Sequence, residues 1–440
     1  MLGKSPFLHA PNQELLSRHS VFEMIADLKK KEKILYSSNG NRALSGKTAL
    51  KGIRSAAIKA GITRLANIAG LESPDLPVFQ SARPNIMYHY ATGMNTSSQG
   101  KGLHTTQAMI SALGESIETY CAEPKNIKLV RGSYEYLKNQ HVVADPSEFA
   151  TLLGRKRIRR NEVVMWTEAI EANTNRPVWM PAETVFIPFF NRDYGCRSVL
   201  PISSNGLASG STYLEAAIHG LYEVIERHYQ AQSEFGKALS AVVDLETIEY
   251  PAIRAKLRSL KKYNPILVAY TFPGIRNLPM VKVMLYRRGQ IMAGYGCSAD
   301  IEGSMSRGIS EAWQAAAGMA SGAREDIASK AIAIKGIPKR YLNEKFDKEF
   351  LSVANFKKRA FDKRFSDLQD EYQFILRWLR RHGSRNVYIA NLTRRGIDLP
   401  VVKVVVPPLR AGYELFHIYS DSPKSSLDHV ARRYGVKLPK

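Results

Sequence analysis

Glu215, His219, Glu223 and Glu226 recur at spacings of four, four and three within ASGSTYLEAAIHGLYEVIERHYQA, residues 208–231. At 100° per residue in a helix, they fall within roughly 80° of one another, while Ala217, Leu221 and Ile225 point elsewhere. The pattern occurs twice more at i, i+4 and i+7, as Ser111, Glu115 and Glu118, and as Arg307, Glu311 and Gln314. The surrounding residues are mostly Ala, Leu, Ile and Met, so these helices are expected to be buried. A buried carboxylate is unfavourable unless it is paired or binds a metal. Oxygen ligands without Cys, and with few His, suit a hard cation, and Mg²⁺ commonly bridges carboxylates to substrate phosphates. QGKG at 99–102 offers flexible backbone N–H groups and Lys101 just ahead of a helix N-terminus. With Arg227, Arg307 and Arg324 it suggests a nucleotide triphosphate site. The site is of neither the P-loop nor the kinase design, because SGKT at 45–48 lacks the first glycine of a Walker A motif.

Each acid-bearing helix follows a β segment. Ser211 and Thr212 are candidate N-caps for the helix at 213, and Thr105 or Thr106 for TTQAMISALGESIETYCAE; SSQGKGLH at 97–104 reads as a Gly-rich loop. ILVAYTFPGIRNLPMVKVMLYRRG (266–289) is echoed by VYIANLTRRGIDLPVVKVVVPPLRAG (387–412), which predicts two loosely duplicated strand–turn–strand units. An α+β fold is predicted, with mixed sheets on one side and the acid-bearing helices converging on the other. Residues 1–40 read as a basic helical extension and 41–440 as the functional domain.

The formal charge is +23 over 440 residues, a field that favours polyanionic partners such as nucleic acid, nucleotide phosphates or an acidic peptide. The bases gather at 29–59, in RKRIRR at 155–160 and at about 330–386. Cys121, Cys196 and Cys297 have no CxxC spacing, which argues against a zinc site or disulfide framework and suits a reducing cytosol. No run of 18 apolar residues and no signal-peptide core is present, so a soluble cytoplasmic protein is expected.

SNGLASGSTYLEAAIHGLYEVIER resembles the YcaO-domain signature SNG-x-A-x-G-(N/T)-x-x-x-EA-x-x-x-GL-x-E-x-x-ER. QGKGLHTTQAMISALGESIE, MWTEAIEANTNRPVWMPAE and GCSADIEGSMSRGISEAWQAAAGMASGARED are similar to further blocks of that family, in order, between about Arg42 and Val406. The resemblance implies a YcaO-type α+β fold around a central ATP and Mg²⁺ site. It also implies O-phosphorylation of backbone amides in a ribosomally made precursor peptide. In cyclodehydratases of bacteriocin-type pathways, a Cys, Ser or Thr side chain attacks the amide carbonyl. ATP then phosphorylates the oxygen, and loss of phosphate leaves an azoline. Relatives use external sulfide and a TfuA-type partner to make thioamides. An accessory protein for a ribosome-associated modification enzyme is the alternative of a different class.

Position by position, the resemblance implies Mg²⁺ ligands at Glu115, Glu118, Glu215, Glu223, Glu226 and Glu311. It implies nucleotide contacts at Lys101, Ser111, Ser211, Arg227 and Arg307, with Arg42 and Thr48 as a basic-then-hydroxyl element. No residue is assigned to proton transfer. Ser211 stands where the family often has Asn, and His219 where it often has Gln. The chain ends GVKLPK rather than in the PxPxP tail common among azoline formers, which raises the thioamide reading. The implied partners are the precursor peptide, an E1-like, ocin-type or TfuA-type protein supplying leader recognition, and a flavin dehydrogenase in the same complex. A homodimer is the default expectation, ribosome or RNA contact is a further one, and no membrane is involved.

Overall fold

The computed structural model describes residues 20–35, 40–72, 75–84, 97–152, 155–234, 241–263, 266–271, 278–287, 290–321, 350–359, 362–407 and 409. Arg324 lies outside these residues, as does much of the basic region near 330–386. Among the described residues the strands form three sheets. The first joins β1 (Arg64–Asn67), β2 (Val78–Ala82) and β3 (Ser97–Lys101) in antiparallel register. The second orders β4 (Val130–Ser133), β5 (Val163–Glu171), β13 (Tyr388–Asn391), β14 (Val401–Val405) and β7 (Leu207–Ser209), with β6 (Arg176–Pro181) also paired to β5. The third runs β11 (Gln290–Cys297), β10 (Met280–Arg287), β9 (Ile266–Thr271), β8 (Ala241–Val243) and β12 (Phe350–Leu351). The two echoed segments are the antiparallel pairs β9–β10 and β13–β14, each in a different sheet.

One acid-bearing helix packs on each sheet. α3 (Thr105–Ala122) lies on β3 and β2, and α4 (Tyr213–Glu234) on β14 and β7. α5 (Ile301–Ser321) covers β11 and β10. Glycines let these layers approach: a Cβ on Gly100 would sit 2.0 Å from Ala112 N, and one on Gly296 1.9 Å from Ser304 O. QGKG is therefore part of a strand pressed onto α3, not the open loop expected, and its glycines serve packing there.

The helix starts follow local chemistry. Thr212 Oγ1 accepts from Glu215 N at 3.2 Å, as a capping hydroxyl should. On α3 the cap position is His104, in an extended conformation with no side-chain cap bond, so Thr105 is already helical; this corrects the expected Thr cap. Asp300 Oδ1 accepts from Gly303 N at 2.7 Å ahead of α5.

α4 is buried nearly all round, with Leu214, Ala216, Ala217, Leu221 and Ile225 in the core. Each buried Leu or Ile contributes about 1.5–3 kcal/mol, so the helix is held firmly enough to carry acids inside the core. It is flanked by α1 (Val21–Leu28) and α6 (Leu368–Arg381), whose Met24, Leu28, Leu376 and Leu379 join the same core. α2 (Gly46–Lys59) packs on α3. No described helix is long and apolar enough to cross a membrane.

Candidate functional site

The three acid-bearing helices meet beside β3. Gln99 is the junction: its N–H donates to Glu115 Oε2 at 3.1 Å, and its carbonyl accepts from Gln314 Nε2 at 2.7 Å, which ties α3 to α5. Lys101, two residues on, makes an ion pair with Glu311 of α5. α3 is joined to the start of α4 by Glu118, whose Oε1 accepts from the N–H and the hydroxyl of Ser209, both at 2.7 Å. On α4, Arg227 Nε lies 3.6 Å from Glu223 Oε1.

The electrostatics link the rest. Burial pushes the Glu118 carboxyl up to about 8; the Ser209 hydroxyl opposes this, while Glu115 and Glu223 reinforce it. Burial raises Glu223 against the opposing charges of Arg227, Lys403, Arg307 and Lys101. Glu226 is pushed up to about 7 by burial and by Glu311, against Arg307, Lys101 and Arg227. Glu311 feels the same burial, but Lys101, Arg227 and Arg307 overcome it and hold its carboxyl below the usual range. His219 is driven well below its usual value by burial and then by Arg307, Arg42 and Lys101, so its imidazole is neutral.

The structure thus gathers Lys101, Glu115, Glu118, His219, Glu223, Glu226, Arg227, Arg307 and Glu311 into one centre, with Arg42 close enough to act on His219. Other predicted residues are less directly engaged. Glu215 is buried but turns its two oxygens to the backbone N–H groups of Ala43 and Ser211, at 2.5 and 2.8 Å. It thereby pins the segment after Arg42 to the helix start. Ser111 is half-buried one turn before Glu115, and Ser211 is half-buried at the entry to α4. Thr48 is exposed and hydrogen-bonds Ser45 at 2.9 Å, within the capping turn of α2.

Buried polar atoms without protein partners test whether a cation and phosphates fit here. Among the described residues, Glu226 Oε2 and Arg307 Nε are such atoms, one an acceptor and one a donor, acting on the same centre. That donor set suits Mg²⁺ shared with phosphate oxygens. Among the described residues no three acidic, His or Cys groups form a ready metal cage. Glu115, Glu118, Glu215 and Glu311 instead accept from protein donors. A cation held by one or two carboxylates plus substrate phosphates needs no such cage.

Sequence reading missed several participants. Gln99 and Ser209 each donate to an acid and orient it, although their positions beside GKG and within LASGS were visible. Glu371 is 2% exposed on α6 and accepts from Tyr222 OH at 2.8 Å and from Asn41 Nδ2 at 2.7 Å. It buttresses both the residue before Glu223 and the residue before Arg42. Its one visible signal was an acid beside Tyr372 on the apolar face of the helix.

The family model described as YcaO cyclodehydratase, ATP- and Mg²⁺-binding, matches residues 99–410. An uncharacterised protein of Methanothermobacter thermautotrophicus is 27% identical over 379 residues, covering 81% of this chain and 91% of its own. An uncharacterised protein in the tfuA 3′ region of Rhizobium leguminosarum bv. trifolii is 25% identical over 389 residues, covering 79% of this chain and 84% of its own. The structure of YcaO from Methanopyrus kandleri bound with AMPPCP and Mg²⁺ superposes with a TM-score of 0.67 at 23% identity, covering 87% of this chain and 96% of that one. This last likeness establishes the α+β fold.

Proposed function

The chain belongs to the YcaO family, whose members bind ATP and Mg²⁺, and from that premise we propose that it activates backbone amides of a ribosomally made precursor peptide by O-phosphorylation. Cyclodehydration of Cys, Ser or Thr to azolines is the leading outcome. The observation that carries this reading is the centre between α3, α4 and α5. There, carboxylates that burial pushes up stand beside Lys101, Arg227 and Arg307, and Glu226 Oε2 and Arg307 Nε have no partner among the described residues. Bound Mg²⁺·ATP supplies the phosphoryl group and the positive charge that these acids call for.

Glu118, Glu223 and Glu226 would hold the cation, with Glu115 and Glu311 beside them and Glu215 fixing the helix start. Lys101, Arg227 and Arg307 would carry the phosphate charge, with Arg42 entering from the N-terminal side. Ser111 and Ser211 would offer hydroxyls to the nucleotide, and Thr48 would join only if α2 turned it inward. No group is assigned to move a proton; neutral His219 sits in the centre as an acceptor or donor. Residues 41–440 would form the catalytic unit, with 1–40 an extension whose α1 packs into the core beside α4.

A second reading, backbone thioamidation with a TfuA-type partner, is favoured by the relative in the tfuA 3′ region. In either reading a separate partner would supply leader recognition. Incubation of the purified protein with its precursor peptide, partner and Mg²⁺·ATP distinguishes them by mass. A loss of about 18 Da per site reports rings, and a gain of about 16 Da reports thioamides. An unchanged peptide without ADP release overturns the proposal in favour of an accessory role.

A further inference from the structure

RKRIRR at 155–160 is held in one shape while most of its charge is left facing solvent. Ile158, its apolar member, is 3% exposed in the core shared by α3 and β5. Arg155, Lys156, Arg157, Arg159 and Arg160 are exposed. Arg197 is the clamp. Its Nη1 donates to Lys156 O at 2.8 Å and its Nη2 to Arg157 O at 3.0 Å. Its Nε and Nη2 reach the two carboxylate oxygens of Glu162 at 2.6 and 2.7 Å. Arg160 is taken by Asp145. Among the described residues, Arg155, Lys156, Arg157 and Arg159 make no ion pair. A guanidinium that pins two consecutive carbonyls fixes the loop from below, so four charges without an ion pair among the described residues are presented at set positions. Such preorganisation lowers the entropic cost of binding an anion.

The loop adjoins a cleft. Thr151 Oγ1 donates to Arg155 O at 3.3 Å, and the neighbouring Phe149 and Ala150 line a small surface cleft with Pro201, Ser203 and Lys403. Lys403 donates from the cleft to Asn205 O at 2.7 Å, and its charge acts on Glu223. The cleft therefore lies between the segment leading into the basic loop and α4, whose Val224 also lines it.

We propose that the loop at 155–160 docks an acidic segment of a peptide. The proposal deepens the reading of the chain as a peptide-modifying enzyme and rests on it. Four charges fixed on one short loop fit a brief acidic run. A nucleic acid would call for a stripe of bases along a face.

Fluorescence anisotropy of a labelled oligoglutamate peptide, titrated with the full chain, tests this. The charge reversal Arg155→Glu/Lys156→Glu/Arg157→Glu is compared with Arg377→Glu/Arg380→Glu/Arg381→Glu, an equal charge change on exposed positions of α6. The loop variant is expected to lose about tenfold or more in affinity, while the α6 variant changes less than about threefold. Both should bind Mg²⁺·ATP like the wild type, which also shows that they are folded. Equal losses in the two variants mean bulk charge alone and overturn the proposal, as does undiminished peptide binding by the loop variant. Loss of labelled oligouridylate binding with oligoglutamate binding intact overturns it in favour of RNA. Failure of the wild type to bind Mg²⁺·ATP instead strikes the functional reading, independently of the loop.

Discussion

Glu162 and Glu118 are the same side chain in opposite settings. Glu162, under the basic loop, receives two hydrogen bonds from Arg197, and that guanidinium, against some burial, holds its carboxyl below the usual range. Glu118 is 8% exposed, receives only the neutral donors of Ser209, and has Glu115 and Glu223 as charged neighbours. Burial pushes it up to about 8. At Glu162 the fold supplies the counter-ion from the chain itself. In the acidic centre it brings carboxylates together faster than it brings cations. The deficit is what a metal–nucleotide complex can fill, so partnering, not acid count, separates a site from a surface.

The comparison breaks first at Glu226. Glu226→Gln removes the orphaned acceptor charge while keeping the shape, and ATP turnover in the presence of peptide should fall by about 10²–10³-fold. ADP release measured by a coupled assay checks it. Turnover like the wild type would mean that the buried acids are structural after all.

Glu371 sharpens the comparison from the other side, because it is buried and fully partnered. Glu371→Leu leaves Tyr222 OH and Asn41 Nδ2 without their acceptor. Urea unfolding should report a loss of about 2–4 kcal/mol, the cost of stranding two buried donors. Glu371→Gln, which keeps one acceptor, should recover part of that loss.

The helices with their acid spacings were legible because i, i+4 and i+7 are local facts, and the strand pairs because alternation is local too. What escaped depends on distant chain. Lys101 and Glu311 are 210 residues apart, and no spacing rule joins a strand end to a helix. QGKG reads as a loop because its glycines look like flexibility; only the approach of α3 shows that Gly100 is there to admit Ala112. His104 displaced the expected Thr cap because an extended backbone, not a hydroxyl, sets where α3 begins. Glu371 was hidden in a stretch whose basic composition reads as surface, although the helix turns that acid inward.

The acidic centre should also make stability depend on pH in a definite direction. A carboxyl raised from 4.5 to about 8 binds its proton more tightly folded than unfolded. Its contribution is therefore full below about 4.5 and is lost as pH rises through about 8. The nucleotide-free protein should lose on the order of 2 kcal/mol across that window relative to Glu118→Gln, whose midpoint stays flatter. Mg²⁺·ATP should reduce the difference by replacing the proton with a cation. Chemical denaturation at a series of pH values, with and without the complex, checks both parts. Parallel profiles for the two proteins would remove Glu118 from the deficit.

The smallest effect belongs to the partnered acid of the basic loop. Arg197→Ala removes a partly exposed ion pair, worth about 0.2–1 kcal/mol, together with the bonds to Lys156 O and Arg157 O. Those carbonyls are near solvent, where water can take over, so the melting temperature should move by only a few degrees, about 1–4 °C for a chain of this size. Hydrogen exchange should respond more strongly than melting, with protection lost around 155–160 while the acidic centre keeps its own. If Arg197→Ala also lowered ATP turnover without peptide, the two regions would be coupled through the core that Ile158 shares with α3, and the division between a self-neutralised surface and a cation-seeking interior would be too simple.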